Sequence, residues 1–270
     1  MASFHARSNS FPSQSHPIVN DVKDHLERLK AASQATSTSS ICANLASLAN
    51  LHDSINIMIQ MPSVQQALAC EQGETWINEL LDGSLRLVDI CGVSRDILQL
   101  TKESVQDLAS SIRRQADDVS IYVASRKKVN KMVNKCIKNL KTSNQNSTPF
   151  PAAIGMMVKE TESLDSAILR SVLVLLSGER EKSSKKSWST LLSKFTQSTG
   201  RVHDEAEQES RDENLCSLDI QKALKNMDSK ATLKQLKASE MSIQELEECL
   251  EALFRSLVKT RVSLLNALSH

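Results

Sequence analysis

The residues in this 270-residue chain with types suited to chemistry include six cysteines, six histidines and the adjacent carboxylates Asp117-Asp118 and Glu247-Glu248. Cys42, Cys70, Cys91, Cys136, Cys216 and Cys249 are nowhere closer than 21 positions, so no CxxC spacing for zinc or redox work arises. They lie mostly among apolar residues at helical spacing, and no secretory signal is apparent. That predicts buried thiols in a reducing compartment rather than a disulfide framework. The sequon at Asn146-Ser147-Thr148 then meets no glycosylation machinery. His5, His16, His25, His52, His203 and His270 are scattered along the chain. Asp117-Asp118 and Glu247-Glu248 are sequence neighbours, which point to different faces of a helix and make poor acid–base pairs. Cys91 could serve as a nucleophile only if it left a stripe of core positions. No P-loop, GxGxxG, HExxH or GxSxG occurs. The expectation is a protein that is not an enzyme, with no catalytic, cofactor-binding or metal-binding residues and no cofactor.

Two stretches are suited to contact rather than catalysis. In "ASRKKVNKMVNKCIKNLK", Lys128, Lys131, Lys135 and Lys138 share one helical face, and no acid occurs between Val119 and Lys159. Such a face suits weak contact with an anionic membrane. Nucleic acid is not expected, because no aromatic residues interleave with the lysines to stack on bases. In "RSNSFP", Arg7, Ser8, Ser10 and Pro12 match the R-S-x-S-x-P pattern that 14-3-3 proteins read once the second serine carries a phosphate.

These residues must be positioned by helices. Hydrophobic residues make up 40% of the chain but aromatics only 3%, so the core must be aliphatic; six Gly and five Pro leave little turn chemistry for a many-stranded sheet. The formal charge of +1 makes any attraction to an anionic partner a local matter. The longest apolar run, "AILRSVLVLL", is too short to span a bilayer and contains Arg170. Leu45, Leu48, Leu51, Ile55 and Met58 form one helical face, and Pro62 suits the first position of the next helix, where a missing N–H costs nothing. Leu87, Cys91, Ser94, Leu98, Thr101, Val105, Leu108 and Ile112 alternate spacings of four and three, the stripe of a long helix. Gly92 interrupts that helix and is expected to admit a close neighbour.

Val119, Tyr122, Val129, Val133, Cys136 and Leu140 continue the rhythm, with Arg126 at one stripe position. A further helix ends at Gly178, a good C-cap, and Trp188 begins the apolar face of a short basic helix. Ile243, Leu246, Leu250, Leu253, Leu257, Thr260, Leu264 and Ala267 hold a last stripe, which Phe254, Val258, Leu265 and Leu268 are expected to widen. Acids precede basic residues along that helix, complementing its dipole, and Glu251 stands four residues before Arg255. The pattern predicts an all-α fold, an elongated helical bundle with coiled-coil-like long helices. Residues 1–20 are expected to be a disordered Ser-rich segment that also mimics a plastid transit peptide. Residues 21–270 should form a single helical domain, with loops near 142–151 and, six acids against two arginines, 200–214.

The segment "LEECLEALFRSLVKTRVSLLNALSH" resembles the C-terminal signature of a plant-specific helical family, the BYPASS-like proteins. "FHARSNSFPSQSHP", "LERLKAASQATSTSS", "MPSVQQAL", "WINELLDGSLRLVDICG", "SIRRQ", "YVASRKKVNK" and "SWSTLLSKF" agree with it in order. One departure is local: "ANLHDSINIMIQM" has no aromatic near His52, where the family commonly has Tyr. The resemblance implies an all-helical, non-enzymatic protein of root and shoot development, with no catalytic residues to transfer. It points to a regulatory or scaffold protein acting through contacts with other proteins, expected in the cytoplasm. The alternative is a peripheral membrane or vesicle-trafficking factor using the Lys128–Lys138 face.

Overall fold

A computed structural model describes residues 16–32, 37–70, 75–114, 120–142, 153–178 and 229–269, and helices account for nearly all of them. Among the described residues seven helices follow in order: α1 (Pro17–Ala32), α2 (Thr38–Ile59), α3 (Pro62–Cys70), α4 (Thr75–Arg113), α5 (Ser120–Thr142), α6 (Ala153–Ser177) and α7 (Ser229–Ser269). No strand occurs among the described residues, so the all-α expectation holds. The 14-3-3-like residues Arg7, Ser8, Ser10 and Pro12, the Trp188 helix and the acidic stretch 200–214 lie outside the described residues.

The helix ends follow local chemistry. Pro17 opens α1, four residues inside the segment expected to be disordered. Pro17 itself needs no donor partner, and Ile18 and Val19 gain contact with the core. Ser37 caps α2, its Oγ accepting the Ser40 N–H at 3.2 Å. Pro62 is the first residue of α3, as its ring predicts. Gly178 adopts φ 69°, a left-handed conformation that ends α6 without a Cβ penalty.

Two helices of about 60 Å, α4 and α7, form the spine. They run antiparallel: Gln106 meets Glu240, Lys102 meets Glu247, Arg95 meets Glu251, and Arg261 meets Leu81. Arg95 also lies over the Phe254 ring, 4.6 Å from its centroid. Helix α2 lies along the other flank of α7 and parallel to it, while α5 and α6 cover α4. The predicted stripes are buried: all eight positions from Ile243 to Ala267, and every one from Leu87 to Leu108. They join one aliphatic core that draws on every helix.

Three expectations need correction. Val258 and Leu265 do not widen the α7 stripe; both are exposed, because the flanks facing α2 and α4 are occupied by other residues and these two point between them into solvent. Gly92 is not a close-packing site: a Cβ there would lie 3.7 Å from the Phe254 ring, an ordinary contact. Gly83 is the crowded position, since a Cβ would sit 2.7 Å from the Glu162 carboxylate.

Candidate functional site

Three buried polar residues converge on the buried face of α2, where it packs against α6 and α7. His52 stands on the buried face of α2 between Leu48 and Ile55, with the ring almost wholly enclosed. Asp165 occupies the inner stripe of α6, one turn after Thr161 and one before Ile168 and Leu169, and is 0% exposed. Thr260 is the one polar member of the predicted α7 stripe. Helical packing brings the three together across more than a hundred residues of sequence.

The His52 Nε2 lies 3.0 Å from both Asp165 carboxylate oxygens, and its Nδ1 lies 3.3 Å from the Thr260 hydroxyl. Thr260 Oγ1 also reaches the His52 carbonyl oxygen at 3.4 Å. With Asp165 ionised, two proton arrangements satisfy this set. Either both ring nitrogens donate, one to Asp165 and one to Thr260, and the hydroxyl donates to the carbonyl; or Nδ1 accepts the hydroxyl proton. In each, Nε2 carries the hydrogen facing the carboxylate, so Asp165 fixes the ring and sets its tautomer.

One turn along, Ser263 donates to Asn56 Oδ1, and Gln60 Nε2 reaches Ser263 Oγ at 3.5 Å. The α2–α7 seam therefore carries a polar ladder inside an aliphatic wall. Beside it lies a cavity of about 20 Å³ bordered by His52, Asp165, Glu162, Ser84 and Thr260 together with leucines. That is room for roughly one water molecule, not for a substrate. The Glu162 carboxylate closes one side over Gly83, held by Arg86 at 3.3 Å and Lys159 at 3.0 Å. From α7, Arg261 donates to the Leu81 carbonyl and, at 2.9 Å, to Ser84 Oγ.

The geometry resembles the hydrogen-bonding part of a catalytic triad, yet what surrounds it is structural. Cys91 is fully buried, its thiol within 3.8 Å of the Leu250 carbonyl, and burial, with the nearby Asp165 charge adding to it, pushes its pKa up to about 12. A thiol held in that state is a poor nucleophile. Among the described residues Cys42, Cys91, Cys136 and Cys249 are free thiols. Among the described residues no cluster of three His, Cys, Asp or Glu side chains could hold a metal, and no helix is long and apolar enough to cross a membrane.

The predicted basic residues are where the sequence put them. Lys128, Lys131, Lys135 and Lys138 are exposed along the outer face of α5, and Lys127 joins them. Arg126, on the stripe side of α5, donates its guanidinium N–H groups to the Leu176 and Ser177 carbonyls at 3.0 and 2.8 Å, capping α6 with a positive charge. In the C-terminal half of α7 the three cations each have a neighbour. Arg255 pairs with Glu251 at 2.8 Å, Lys259 with Asp53 at 3.3 Å, and Arg261 reaches α4.

Sequence reasoning missed the His52–Asp165–Thr260 centre. The legible signal was a polar residue at a core stripe position; what remained hidden was which of these residues would meet.

A family model described as "Protein BPS1" matches residues 44–267. No curated protein and no solved structure matches the chain.

Proposed function

Because the chain belongs to the BPS1 family, the BYPASS-like group its sequence resembles, we propose that it is a non-enzymatic regulator or scaffold of root and shoot development in plants. It acts in the cytoplasm through contacts with other proteins. The family match over residues 44–267 is the observation that carries this reading. The described fold agrees with it: the polar centre is enclosed, and the cavity beside it holds about one water. In the proposal the bundle is a rigid body that presents helix faces. Arg7, Ser8, Ser10 and Pro12 supply a segment that 14-3-3 proteins read when Ser10 is phosphorylated.

The test is genetic and biochemical together. Plants lacking the protein should show altered root and shoot growth, restored both by the wild-type chain and by a chain with Asp165→Leu and His52→Leu combined. Rescue by that double variant separates a scaffold from an enzyme that uses the buried centre. Normal growth of the mutant plants, or a folded double variant that fails to rescue, would overturn the proposal.

A further inference from the structure

We propose that the outer face of α5 docks this protein onto an anionic phospholipid surface. The proposal goes beyond the regulatory reading above and does not depend on it. Five lysines, Lys127, Lys128, Lys131, Lys135 and Lys138, are exposed on that face, and α5 contains no acidic residue. Their helical positions place them within an arc of about 100°, along roughly 17 Å of axis. None of the five enters an ion pair among the described residues. Elsewhere six cations at helix contacts pair with acids: Lys30 with Glu160, Arg86 and Lys159 with Glu162, Arg95 with Glu251, Lys102 with Glu247 and Lys259 with Asp53. With a net charge of +1 for the whole chain, this is a local concentration of positive charge.

A lipid surface fits the face better than the other polyanions. Tyr122 is the only aromatic residue of α5 and is half-buried, so the face offers no platform for stacking bases. Ile121 is 65% exposed at the first turn of the helix, and Val123 is exposed beside it. Apolar side chains next to a lysine row suit a headgroup boundary, where they can leave water. The mode of docking also follows from the fold. The apolar face of α5, made by Val129, Val133, Cys136 and Leu140, is already buried. The helix therefore cannot insert as a free amphipathic helix does. It must bind mainly by charge on its polar face, and such binding is screened by salt over a distance of about 10 Å at 0.1 M.

The test is flotation of the full chain with vesicles of phosphatidylcholine alone or mixed with phosphatidylserine. Binding is expected only to the mixed vesicles, and it should fall sharply when salt is raised from about 0.1 M to about 0.5 M. Each lysine at an anionic surface contributes about five-fold to partitioning, so Lys128→Gln, Lys131→Gln and Lys135→Gln together should weaken binding about a hundred-fold. A control with the same loss of charge, Lys23→Gln, Lys234→Gln and Lys237→Gln at exposed positions on α1 and α7, should stay within about three-fold of wild type. Circular dichroism checks that both variants remain folded. No binding to the mixed vesicles, equal binding to both vesicle types, binding that survives the higher salt, or equal losses in the two variants would each overturn the proposal.

Discussion

Replacing Asp165 by leucine tests the buried centre most directly. The carboxylate is completely enclosed, and both its oxygens lie 3.0 Å from His52 Nε2. Removing it leaves a ring N–H, or a charged ring, facing leucines. Breaking one side of such a pair costs about 3–5 kcal/mol. For a chain of this size each kcal/mol lowers the melting temperature by about 2–4 °C, so the variant should melt about 6–20 °C below wild type. His52→Leu should be at least as damaging, because it strands a buried carboxylate. The two substitutions together remove the need for either partner. The adjoining cavity of about 20 Å³ takes up part of the added side-chain volume. The double variant should therefore lie within about 1 kcal/mol of wild type or above it. Urea unfolding followed at 222 nm gives the three values and their coupling. Single variants costing under about 1 kcal/mol, or a double variant as unstable as the sum of the two, would refute a dry, mutually dependent pair.

Other perturbations probe the packing around this centre. Leu257→Ala should cost about 2–5 kcal/mol by enlarging a cavity the residue already borders. Lys259→Ala, at a side chain 57% exposed, should change stability by no more than about 0.5 kcal/mol, and overlapping thermal melts for the two variants would contradict the assignment. Gly92→Ala should stabilise α4 by about 0.5–1 kcal/mol, since its Cβ has room. Gly83→Ala should instead destabilise by about 1 kcal/mol, because the Glu162 carboxylate must leave Arg86 and Lys159; the opposite order in urea would refute the crowding at Gly83. The Cys91 thiol, pushed from an ordinary 9.0 to about 12, holds its proton longer in the folded chain than in the unfolded one. Its contribution is complete below pH 9 and is lost as pH rises toward 12, by up to about 1.4 kcal/mol per pH unit. Unfolding midpoints at pH 8 and 10.5 should fall less for Cys91→Ala than for wild type, and parallel declines would exclude the effect.

The sequence carried the helices because their signal is periodic and local. The stripes in α4 and α7 needed only spacings of three and four, and Pro62 and Gly178 marked ends by backbone chemistry alone. The centre was illegible for the converse reason. His52 pairs with a residue 113 positions away and touches another 208 positions away, and no local rule encodes those distances. Thr260 and Asp165 could be recognised as polar residues on apolar stripes, which says that each needs a partner and not which. Arg126 shows the same limit, because its place on the stripe said nothing of the α6 carbonyls it would cap. Val258 and Leu265 show the reverse error. Apolar residues beside a stripe are buried only if a neighbour covers that flank, and helical spacing is silent on how many neighbours a helix has.

The parallel pairing of α2 with α7 also bears on how the chain is made. A ribosome adding about 5–20 residues per second needs about 10–40 s to travel from His52 to Thr260. Through that interval α2 has been synthesised but its principal partner has not, and the leucines that flank His52 have no α7 to cover them. Closing a contact over so much chain is slow even after release, because the loop entropy is lost before the contact returns it. The hazard during synthesis lies in an ordinary leucine-rich helix waiting for the one that covers it.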